Sequence, residues 1–348
     1  MMYPASSFAA TVARMPRVAP IHAESLLEAV HRLRAGQPVA FPTETVYGLG
    51  ADAFNVEAVE RVYVLKGRPT DNPLIIHVAD ARLAADRVVA AGAWGDRAAA
   101  LARRFWPGPL TLVLPKRPDL PRQATAGRDT VAVRCPAHSG AQALLGMFGS
   151  PIAAPSANRS GHVSPTTAAH VAADFDSVDD LLILDGGPCA VGIESTVVDL
   201  TSDPPRLLRP GSITVELLRE VIGHVESPRI ESQDASPGTA ERHYAPRTPA
   251  IMMDRAAIER RLAEPGRLVV LAIEGLGVLP VRDATAEGRI TTIPMPDAPE
   301  SYARRLYDAL READTIGAAA ILIERPPENP GLWASIHDRL RRATRAEV

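Results

Sequence analysis

Two spacings of hydrophobic residues alternate along the first two thirds of the chain. Leu26 and Val30 are four residues apart, the spacing of one helix face, whereas residues 130–134 alternate as in a strand with one buried face. Strands are predicted in this way at 39–41, 74–78, 110–114, 130–134, 151–155, 181–184, 196–200 and 206–208. Helices are predicted at 24–34, 56–66, 81–104, 142–148 and 215–221, with a further helix that begins at Ser164 as N-cap and Pro165 after it. The alternation of strands and helices predicts an α/β domain over residues 21–224.

Residues 225–249 break this pattern. The segment is rich in proline, serine and glycine and has no hydrophobic periodicity, which predicts a linker. Beyond it, the pattern predicts strands at 267–273, 290–293 and 318–323 and helices at 301–313 and 332–344. Residues 250–348 are therefore predicted to form a second, smaller α/β domain. Residues 1–20 lack the apolar run of a secretory signal and are predicted to be a flexible N-terminus.

Composition narrows the class of protein. The chain has 348 residues, is 46% hydrophobic and carries a net charge of −3, which is typical of a globular protein without an overall basic surface. Contact with nucleic acid would therefore need a local basic patch. The only cysteines, Cys135 and Cys189, belong to no disulfide or metal-binding motif, which fits a reducing compartment. No apolar run reaches the roughly 18 residues of a membrane span, so we expect a soluble, cytoplasmic protein without membrane association.

Polar residues gather at the ends of the predicted strands. Lys66 and Arg68 lie two residues apart in a turn that Pro69 stops, so both side chains can face one polyanion. Taken singly, such residues more often cap helices or lie on the surface, but binding crevices in α/β sheets lie at strand ends. Five such elements in one domain therefore favour a nucleotide site. They are Lys66 with Arg68, Ser156 with Asn158, Arg134, Arg209 and Ser195.

Other nucleotide-binding and catalytic motifs are weak or absent. Gly48 and Gly50 resemble part of a dinucleotide fingerprint, but no helix follows at once, and an Arg-Pro-Thr sequence stands where the acidic ribose partner belongs. We therefore interpret the glycine pair as a tight turn that lets substrate approach the backbone. The sequence contains no GxxxxGKS/T phosphate loop, no HExxH zinc motif and no GxSxG nucleophile elbow, so hydrolase chemistry with a protein nucleophile has no support.

Seven blocks of sequence resemble the YrdC-like threonylcarbamoyl-AMP synthases, and they include PTETVYGLGADA, KGRPTDNPLIIHV and APSANRSGHVSPT. The blocks stand at 42–53, 66–78, 106–114, 130–136, 154–166, 185–200 and 207–214. The HYAP sequence at 243–246 and GLWASIHDRL at 331–340 are similar to the long, two-domain branch of that family. The resemblance implies an α/β fold: a twisted, mixed-sheet YrdC-like domain with a concave active-site cavity, joined to a small C-terminal Rossmann-like α/β domain.

The same resemblance implies a nucleotidyltransferase that acts in tRNA modification. ATP, L-threonine and bicarbonate would give threonylcarbamoyl-AMP and pyrophosphate, with Mg²⁺ entering with ATP and no protein-bound metal cluster. A downstream threonylcarbamoyl transferase complex would pass the group to an adenosine of tRNA, giving N6-threonylcarbamoyladenosine. The tRNA itself is a candidate partner of this chain.

The resemblance also implies roles for individual residues. The residues that face L-threonine would be Thr45, His77, Arg134, Ala154 through its backbone, and Ser195. The residues that face ATP would be Arg68, Asn72, Thr130, Ser156, Ser164, Arg209 and the linker residue Tyr244. The catalytic set would be Lys66, Arg68, Ser156 and Asn158, and no residue is assigned to a metal.

The implied chemistry needs positioning and charge neutralisation more than a protein nucleophile. We expect Arg134 to bind the threonine carboxylate as a bidentate clamp. We expect Lys66, Arg68 and Arg209, with Mg²⁺, to balance the charge on the phosphates. His77 would orient threonine or accept its amine proton, and a purely structural role is the alternative.

The linker has two interpretations. Because the carbamate and its adenylate are labile in water, Tyr244 would fold over the nucleotide as a lid, with Gly238 as the hinge. The alternative is an ordinary tether between two domains.

Two functions of other classes remain open. One is a non-catalytic module of the same fold that binds double-stranded RNA or tRNA, although the even charge balance counts against it. The other is a carbamoyl-handling relative that serves a different acceptor, although no fused acylphosphatase or zinc-finger sequence is present. Release of pyrophosphate that depends on threonine would separate the synthase from the RNA-binding module.

Overall fold

The computed structural model describes residues 15–227, 243–274 and 288–344. Its strands are β1 (Arg17–Pro20), β2 (Val39–Phe41), β3 (Gly48–Asp52), β4 (Ile75–His77), β5 (Leu110–Pro115), β6 (Thr130–Arg134), β7 (Ile152–Ala154), β8 (Leu182–Asp185), β9 (Thr196–Asp199), β10 (Arg206–Arg209), β11 (Ala250–Met253), β12 (Leu268–Ile273), β13 (Ile290–Met295) and β14 (Ala320–Glu324). Its helices are α1 (Ala23–Arg34), α2 (Val56–Lys66), α3 (Ala81–Arg87), α4 (Asp96–Phe105), α5 (Ser139–Phe148), α6 (Ala168–Asp174), α7 (Val215–Ile222), α8 (Arg255–Leu262), α9 (Pro299–Thr315) and α10 (Leu332–Ala343).

The first ten strands of the described chain form one mixed sheet, in the order β1-β8-β2-β3-β7-β4-β6-β5-β9-β10. β4 runs parallel to β6, with His77 beside Arg134, and antiparallel to β7, with Ile75 beside Ala154. β5 pairs with both β6 and β9, so Ser195, which precedes β9, lies near the same centre. Segments that are distant in sequence therefore meet in the middle of the sheet. The mixed α/β fold that the sequence predicts is confirmed.

The N-terminal prediction is wrong from Arg17 onward. Residues 17–20 form β1, an edge strand that runs parallel to β8, rather than part of a flexible end. In this strand only Ala19 is buried, so no hydrophobic alternation marks it in the sequence. Residues 1–14 lie outside the described residues.

The single helix predicted at 81–104 is two helices, α3 and α4. Between them, Val88 and Val89 are fully buried, and Gly92 adopts a left-handed backbone with φ of 76°. Gly95 then takes the N-cap position of α4. The alanine-rich composition suggested a continuous helix, but burial of the two valines and the glycine geometry interrupt it.

The helix predicted to begin at Ser164 begins later, at Ala168, with Thr167 as its N-cap. The Ser164 side chain is turned instead towards the buried carboxylate of Glu194, to which its hydroxyl donates at 2.7 Å. A serine followed by proline marks a helix start only when the side chain lies against the N–H groups of the first turn. Here the side chain is directed to a tertiary partner.

The interpretation of Gly48 and Gly50 as a tight turn is also wrong. Both residues belong to β3, which pairs antiparallel to β2. The Phe41 ring lies against this strand, and a Cβ added at Gly50 would lie 2.7 Å from both that ring and Ile152. The glycines are therefore needed for close packing and not for a turn.

The second domain is built on a parallel sheet in the order β11-β14-β12-β13, in agreement with the predicted small α/β domain. Its first strand and helix, β11 and α8, were not predicted, since they follow directly on the linker composition. One hydrophobic core spans both domains: Val46 and Ile193 of the first pack with Leu306 and Leu310 of α9. In the part of the chain that the structure describes, no helix has both the length and the apolar character needed to cross a bilayer.

Candidate active site

One pocket brings together most of the residues that the sequence singles out. Its walls come from the β2–β3 loop, β3, β4, β6, β7 with the loop that follows it, β10, the loop before β9, the turn after α2 and the end of the linker. The lining residues are Thr43, Thr45, Val46, Tyr47, Gly48, Arg68, Ile75, His77, Arg134, Ala154, Pro155, Ser156, Glu194, Ser195, Arg209, His243 and Tyr244.

Arg134 ends β6 and is only 3% exposed. Its guanidinium donates to Glu44 Oε1 at 2.6 Å, to Thr45 Oγ1 at 2.8 Å and to the Gly108 carbonyl at 3.3 Å. These contacts fix the orientation of the planar fork, which is the geometry that recognises a carboxylate. The predicted residues Thr45 and Arg134 therefore lie together in the lining of the pocket.

Glu44 is a residue that sequence reasoning missed. It is 8% exposed, and its second oxygen, Oε2, accepts from the backbone N–H of Ala137 at 3.0 Å. Glu44 thus orients Arg134 but does not itself line the pocket. In the sequence, only the position of Glu44 within the PTET block points to this role. Its partner Arg134 lies 90 residues further along the chain, so no local pattern reveals the pair.

His77 lies on β4 beside Arg134 in the sheet register. Its Nδ1 is 3.1 Å from the Ile75 carbonyl, and its ring meets the Phe41 ring edge to face with centroids 5.8 Å apart. Burial, with the nearby positive charge of Arg134, lowers the pKa of His77 to about 3. The imidazole is therefore neutral at physiological pH and suits orientation of a substrate better than charge pairing.

Ser195 and Arg209 form a second polar pair in the pocket. Arg209 ends β10 and donates to the Ser195 carbonyl from Nε and to Ser195 Oγ from Nη2, both at 3.0 Å. The Ser195 hydroxyl is also 2.8 Å from the hydroxyl of Thr111 on β5. Burial lowers the pKa of Arg209, which still leaves the guanidinium charged at neutral pH.

Arg68 lies in the turn that follows α2. Asn55 caps the start of this helix, and Gly67 ends it in the left-handed conformation with φ of 62°, so the chain reverses just before Arg68. The Arg68 guanidinium donates to the Asn72 carbonyl, to the Asn72 side-chain oxygen and to the Pro73 carbonyl. Asn72 therefore stands behind Arg68 instead of lining the pocket. Burial lowers the pKa of Arg68 to about 10.

Lys66 does not line the pocket, and its side chain enters the loop that carries the Ser-x-Asn sequence. Its ammonium donates to the backbone carbonyls of Ser156 and Asn158, and the Ser156 hydroxyl donates to Asn158 Oδ1 at 2.5 Å. The Asn158 amide in turn donates to the His162 carbonyl at 2.8 Å. Burial and the charge of Arg68 lower the pKa of Lys66. These contacts order the loop that presents Ser156, while a catalytic role of Lys66 and Asn158 stays a prediction.

Two further predicted ATP-facing residues lie elsewhere in the first domain. Thr130 is at the outer end of β6, paired with Pro115. Ser164 is fully buried and holds Glu194. Neither residue belongs to the pocket lining in the described chain.

The linker enters the pocket through Tyr244, which is 1% exposed and has a left-handed backbone with φ of 61°. Its ring stacks on Tyr307 at 5.6 Å and lies 5.5 Å below the guanidinium carbon of Arg339, so the second domain holds it. Its hydroxyl is buried without a hydrogen-bond partner among the described residues. The predicted hinge, Gly238, lies outside the described residues.

Glu194 is a second residue that sequence reasoning missed. It lines the pocket beside Ser195 and is 6% exposed. Its carboxylate accepts from Ser164 Oγ at 2.7 Å, from the Tyr307 hydroxyl at 2.8 Å and from Arg339 Nε at 2.8 Å. Burial raises the pKa of Glu194, but the charges of Arg339 and Arg209 and these hydrogen bonds outweigh it and lower the pKa to about 2. Glu194 is therefore ionised and links the pocket to the second domain.

The described residues contain no cluster of metal-ligating side chains. No three histidine, cysteine, aspartate or glutamate side chains lie together in that part of the chain in a way that could hold a metal ion. The carboxylate in the pocket lining, Glu194, is already engaged by three donors.

This fold and pocket define a two-domain protein whose buried arginines and hydroxyls face a cavity suited to anionic substrates. Residues 31–211 match the profile of the Sua5, YciO and YrdC proteins, described as "Telomere recombination". Residues 213–344 match the profile "Threonylcarbamoyl-AMP synthase, C-terminal domain". The chain belongs to the threonylcarbamoyl-AMP synthase family, in its two-domain form.

Individual relatives agree with this membership. The threonylcarbamoyl-AMP synthase of Pyrococcus abyssi is 44% identical over 90% of this chain and 92% of that protein. The protein of the same name from Bacillus subtilis is 42% identical over 93% of this chain and 94% of its own length. Among solved structures, P. abyssi Sua5 complexed with L-threonine is similar with a TM-score of 0.85 and 41% identity, over 95% of this chain and 97% of that one.

Proposed function

We propose that this protein joins ATP, L-threonine and bicarbonate into threonylcarbamoyl-AMP, with release of pyrophosphate. The observation that carries the proposal is the arrangement of three buried arginines around one pocket. Arg134 donates to Thr45, whereas Arg68 and Arg209 interact electrostatically with the linker residue Tyr244. The guanidinium group of Arg134 suits an amino-acid carboxylate, and those of Arg68 and Arg209 suit phosphates. The similarity to an enzyme solved with L-threonine supports this reading.

The reaction proceeds in two steps. The threonine amine attacks the carbon of bicarbonate, the new N–C bond replaces a C–O bond, and water leaves, so that a carbamate forms. A carbamate oxygen then attacks the α-phosphorus of ATP, and the bond to the β-phosphate oxygen breaks with loss of pyrophosphate. Neither step needs a covalent intermediate with the protein, so the main tasks of the chain are alignment and charge stabilisation.

The pocket residues divide these tasks. Arg134 and Thr45 bind the threonine carboxylate, while neutral His77 orients the amino acid. Arg68 and Arg209 stabilise the negative charge that develops on the phosphates. The product group is then taken up by a separate transferase that modifies tRNA in the cytoplasm.

The test of this function is an assay of pyrophosphate release in which each substrate is omitted in turn. We expect release only when ATP, threonine and bicarbonate are all present, and mass spectrometry should detect the adenylate. Release without threonine would contradict the synthase. Binding of double-stranded RNA without any threonine-dependent turnover would instead support the non-catalytic module.

Replacing Tyr244 with alanine tests the lid. Because Tyr244 lines the pocket and is almost fully buried, its loss should admit water to the labile adenylate. We expect either more ATP consumed per molecule of surviving product, or weaker ATP binding. Tyr244→Phe is the matched control: it keeps the ring stacked on Tyr307 and removes only the hydroxyl. Kinetics of Tyr244→Ala equal to those of the unmodified protein would rule out the lid.

A further inference from the structure

A fully buried hydroxyl lies next to Ser195 although it belongs to none of the pocket-lining residues. It is the hydroxyl of Thr111 on β5, a strand whose sequence, LTLVLP, is otherwise apolar. Thr111 pairs with Arg134 on β6 and with Val197 on β9 in the sheet register, so both neighbouring strands fix its position. A buried hydroxyl costs free energy unless it is hydrogen-bonded, so Thr111 requires a partner inside the protein.

In the part of the chain that the structure describes, the Thr111 hydroxyl has one hydrogen-bond partner. Thr111 Oγ1 is 2.8 Å from Ser195 Oγ, a distance at which either hydroxyl can be the donor. Ser195 lines the pocket, so its own proton can be given to a ligand, whereas Thr111 does not line the pocket. Thr111 therefore donates to Ser195, because the opposite direction would leave a buried proton on Thr111 without an acceptor.

Ser195 then uses both lone pairs of its hydroxyl inside the protein. A serine hydroxyl has one proton to donate and two lone pairs that accept. Arg209 Nη2 donates to Ser195 Oγ at 3.0 Å, and Thr111 is the second donor. A hydroxyl that accepts two hydrogen bonds, one of them from a charged group, is polarised and becomes a stronger donor. Towards the pocket, Ser195 therefore selects an acceptor such as a carboxylate oxygen and not a second donor such as an ammonium group.

We propose that Thr111 is a positioning residue that fixes the direction of the Ser195 hydroxyl, so that Ser195 donates its proton to a carboxylate oxygen of the substrate. The proposal rests on the proposed function, in which two groups carry such oxygens. One is the carboxylate of threonine, and the other is the carbamate that forms from bicarbonate. Without the Thr111 hydroxyl, the Ser195 proton can rotate away from the substrate, and the donor is no longer preorganised.

Thr111→Val in the full-length protein removes the hydroxyl and keeps the branched shape of the side chain. If the acceptor is the threonine carboxylate, we expect threonine affinity, measured by calorimetry without ATP and bicarbonate, to fall about fivefold to tenfold. If the acceptor is the carbamate, threonine affinity stays unchanged and kcat for pyrophosphate release falls by a similar factor. Normal threonine affinity together with normal kcat would overturn the proposal.

A double variant separates this role from a general effect on the fold. Ser195→Ala already removes the donated proton, so adding Thr111→Val to it should cause no further loss, whereas additive losses would contradict the proposal. Thr111→Ser keeps the hydroxyl and should retain affinity and rate. Thr125→Val is the matched control, because Thr125 is 1% exposed, donates to the Arg128 carbonyl at 2.9 Å and does not line the pocket. The control should bind threonine and turn over normally, and an equal loss in it would also overturn the proposal.

Neutron diffraction of the unmodified protein, with exchangeable hydrogens replaced by deuterium, tests the proton direction without any substrate. We expect the Thr111 deuterium to lie on the line to Ser195 Oγ and the Ser195 deuterium to point into the pocket. A Ser195 deuterium directed at Thr111 would overturn the proposal, and this measurement decides even if Thr111→Val does not fold. If the protein neither binds threonine nor releases pyrophosphate, the proposed function fails, while the deuterium positions still decide whether Thr111 fixes the Ser195 hydroxyl.

Discussion

Replacing Arg134 with methionine is expected to weaken L-threonine binding by about 10²- to 10³-fold, equivalent to about 3–4 kcal/mol. The guanidinium is buried and held by Glu44 and Thr45, so its fork meets the carboxylate without further loss of side-chain entropy. Methionine fills similar space but offers neither charge nor donors. Calorimetric titration of threonine measures the loss, and ATP affinity should stay unchanged because Arg68 and Arg209 are intact.

This substitution also leaves Glu44 buried without its partner, which by itself would destabilise the fold by about 3–5 kcal/mol. The double variant Arg134→Met with Glu44→Gln removes that charge and separates the loss of threonine binding from instability. Arg134→Lys is the second control, since it keeps the pairing with Glu44 but not the bidentate geometry. Normal threonine affinity in the folded double variant would show that Arg134 is not the carboxylate clamp.

Replacing Glu194 with glutamine is expected to lower the free energy of unfolding at pH 7 by about 3 kcal/mol. The folded pKa of Glu194 is about 2, against an ordinary value of 4.5, and each pKa unit corresponds to about 1.4 kcal/mol. Since this pKa is lowered on folding, the stabilisation is fully present above pH 4.5 and is lost as the pH falls towards 2. The difference between the two proteins should therefore shrink over that window.

Urea unfolding of both proteins between pH 2 and pH 7 measures this difference. Asp254→Asn is the matched control, because Asp254 pairs with Arg325 at 2.7 Å but its side chain is 74% exposed. An exposed pair of this kind contributes about 0–1 kcal/mol. A difference for Glu194→Gln that stays constant down to pH 2 would show that ionisation of Glu194 does not stabilise the fold.

Several predicted site residues that line the pocket in the structure carry local signals in the sequence. Arg134 and Arg209 end strands that are recognisable from alternation or from a short β-rich run, and α/β sheets place their sites at such ends. Ser195 similarly stands at the start of a strand. The helix α2 was found because Asn55 and Gly67 mark its ends. The pocket positions of these polar residues therefore follow from patterns a few residues long.

The partners of these residues could not be found in the same way. Glu44 meets Arg134 across 90 residues, and Glu194 meets Arg339 across 145. Pairing over such distances depends on the order of strands in the sheet and on how the second domain packs, and no local pattern encodes either. For Lys66, the sequence position predicted a contact with the phosphates of ATP. In the fold, its ammonium group donates to two backbone carbonyls, and this arrangement also depends on residues about 90 positions away.

The loop at residues 186–195 contacts α9 of the second domain and also lines the pocket. Gly192 has φ of 85°, and a Cβ placed there would stand 2.4 Å from the Cα of Arg304, so α9 passes directly over the loop. Three residues later the same loop supplies Ser195 to the pocket. The second domain therefore cannot be exchanged without regard to this contact. We expect a chimera that takes its second domain from a relative to keep a working pocket only if the donor helix follows the same path over Gly192.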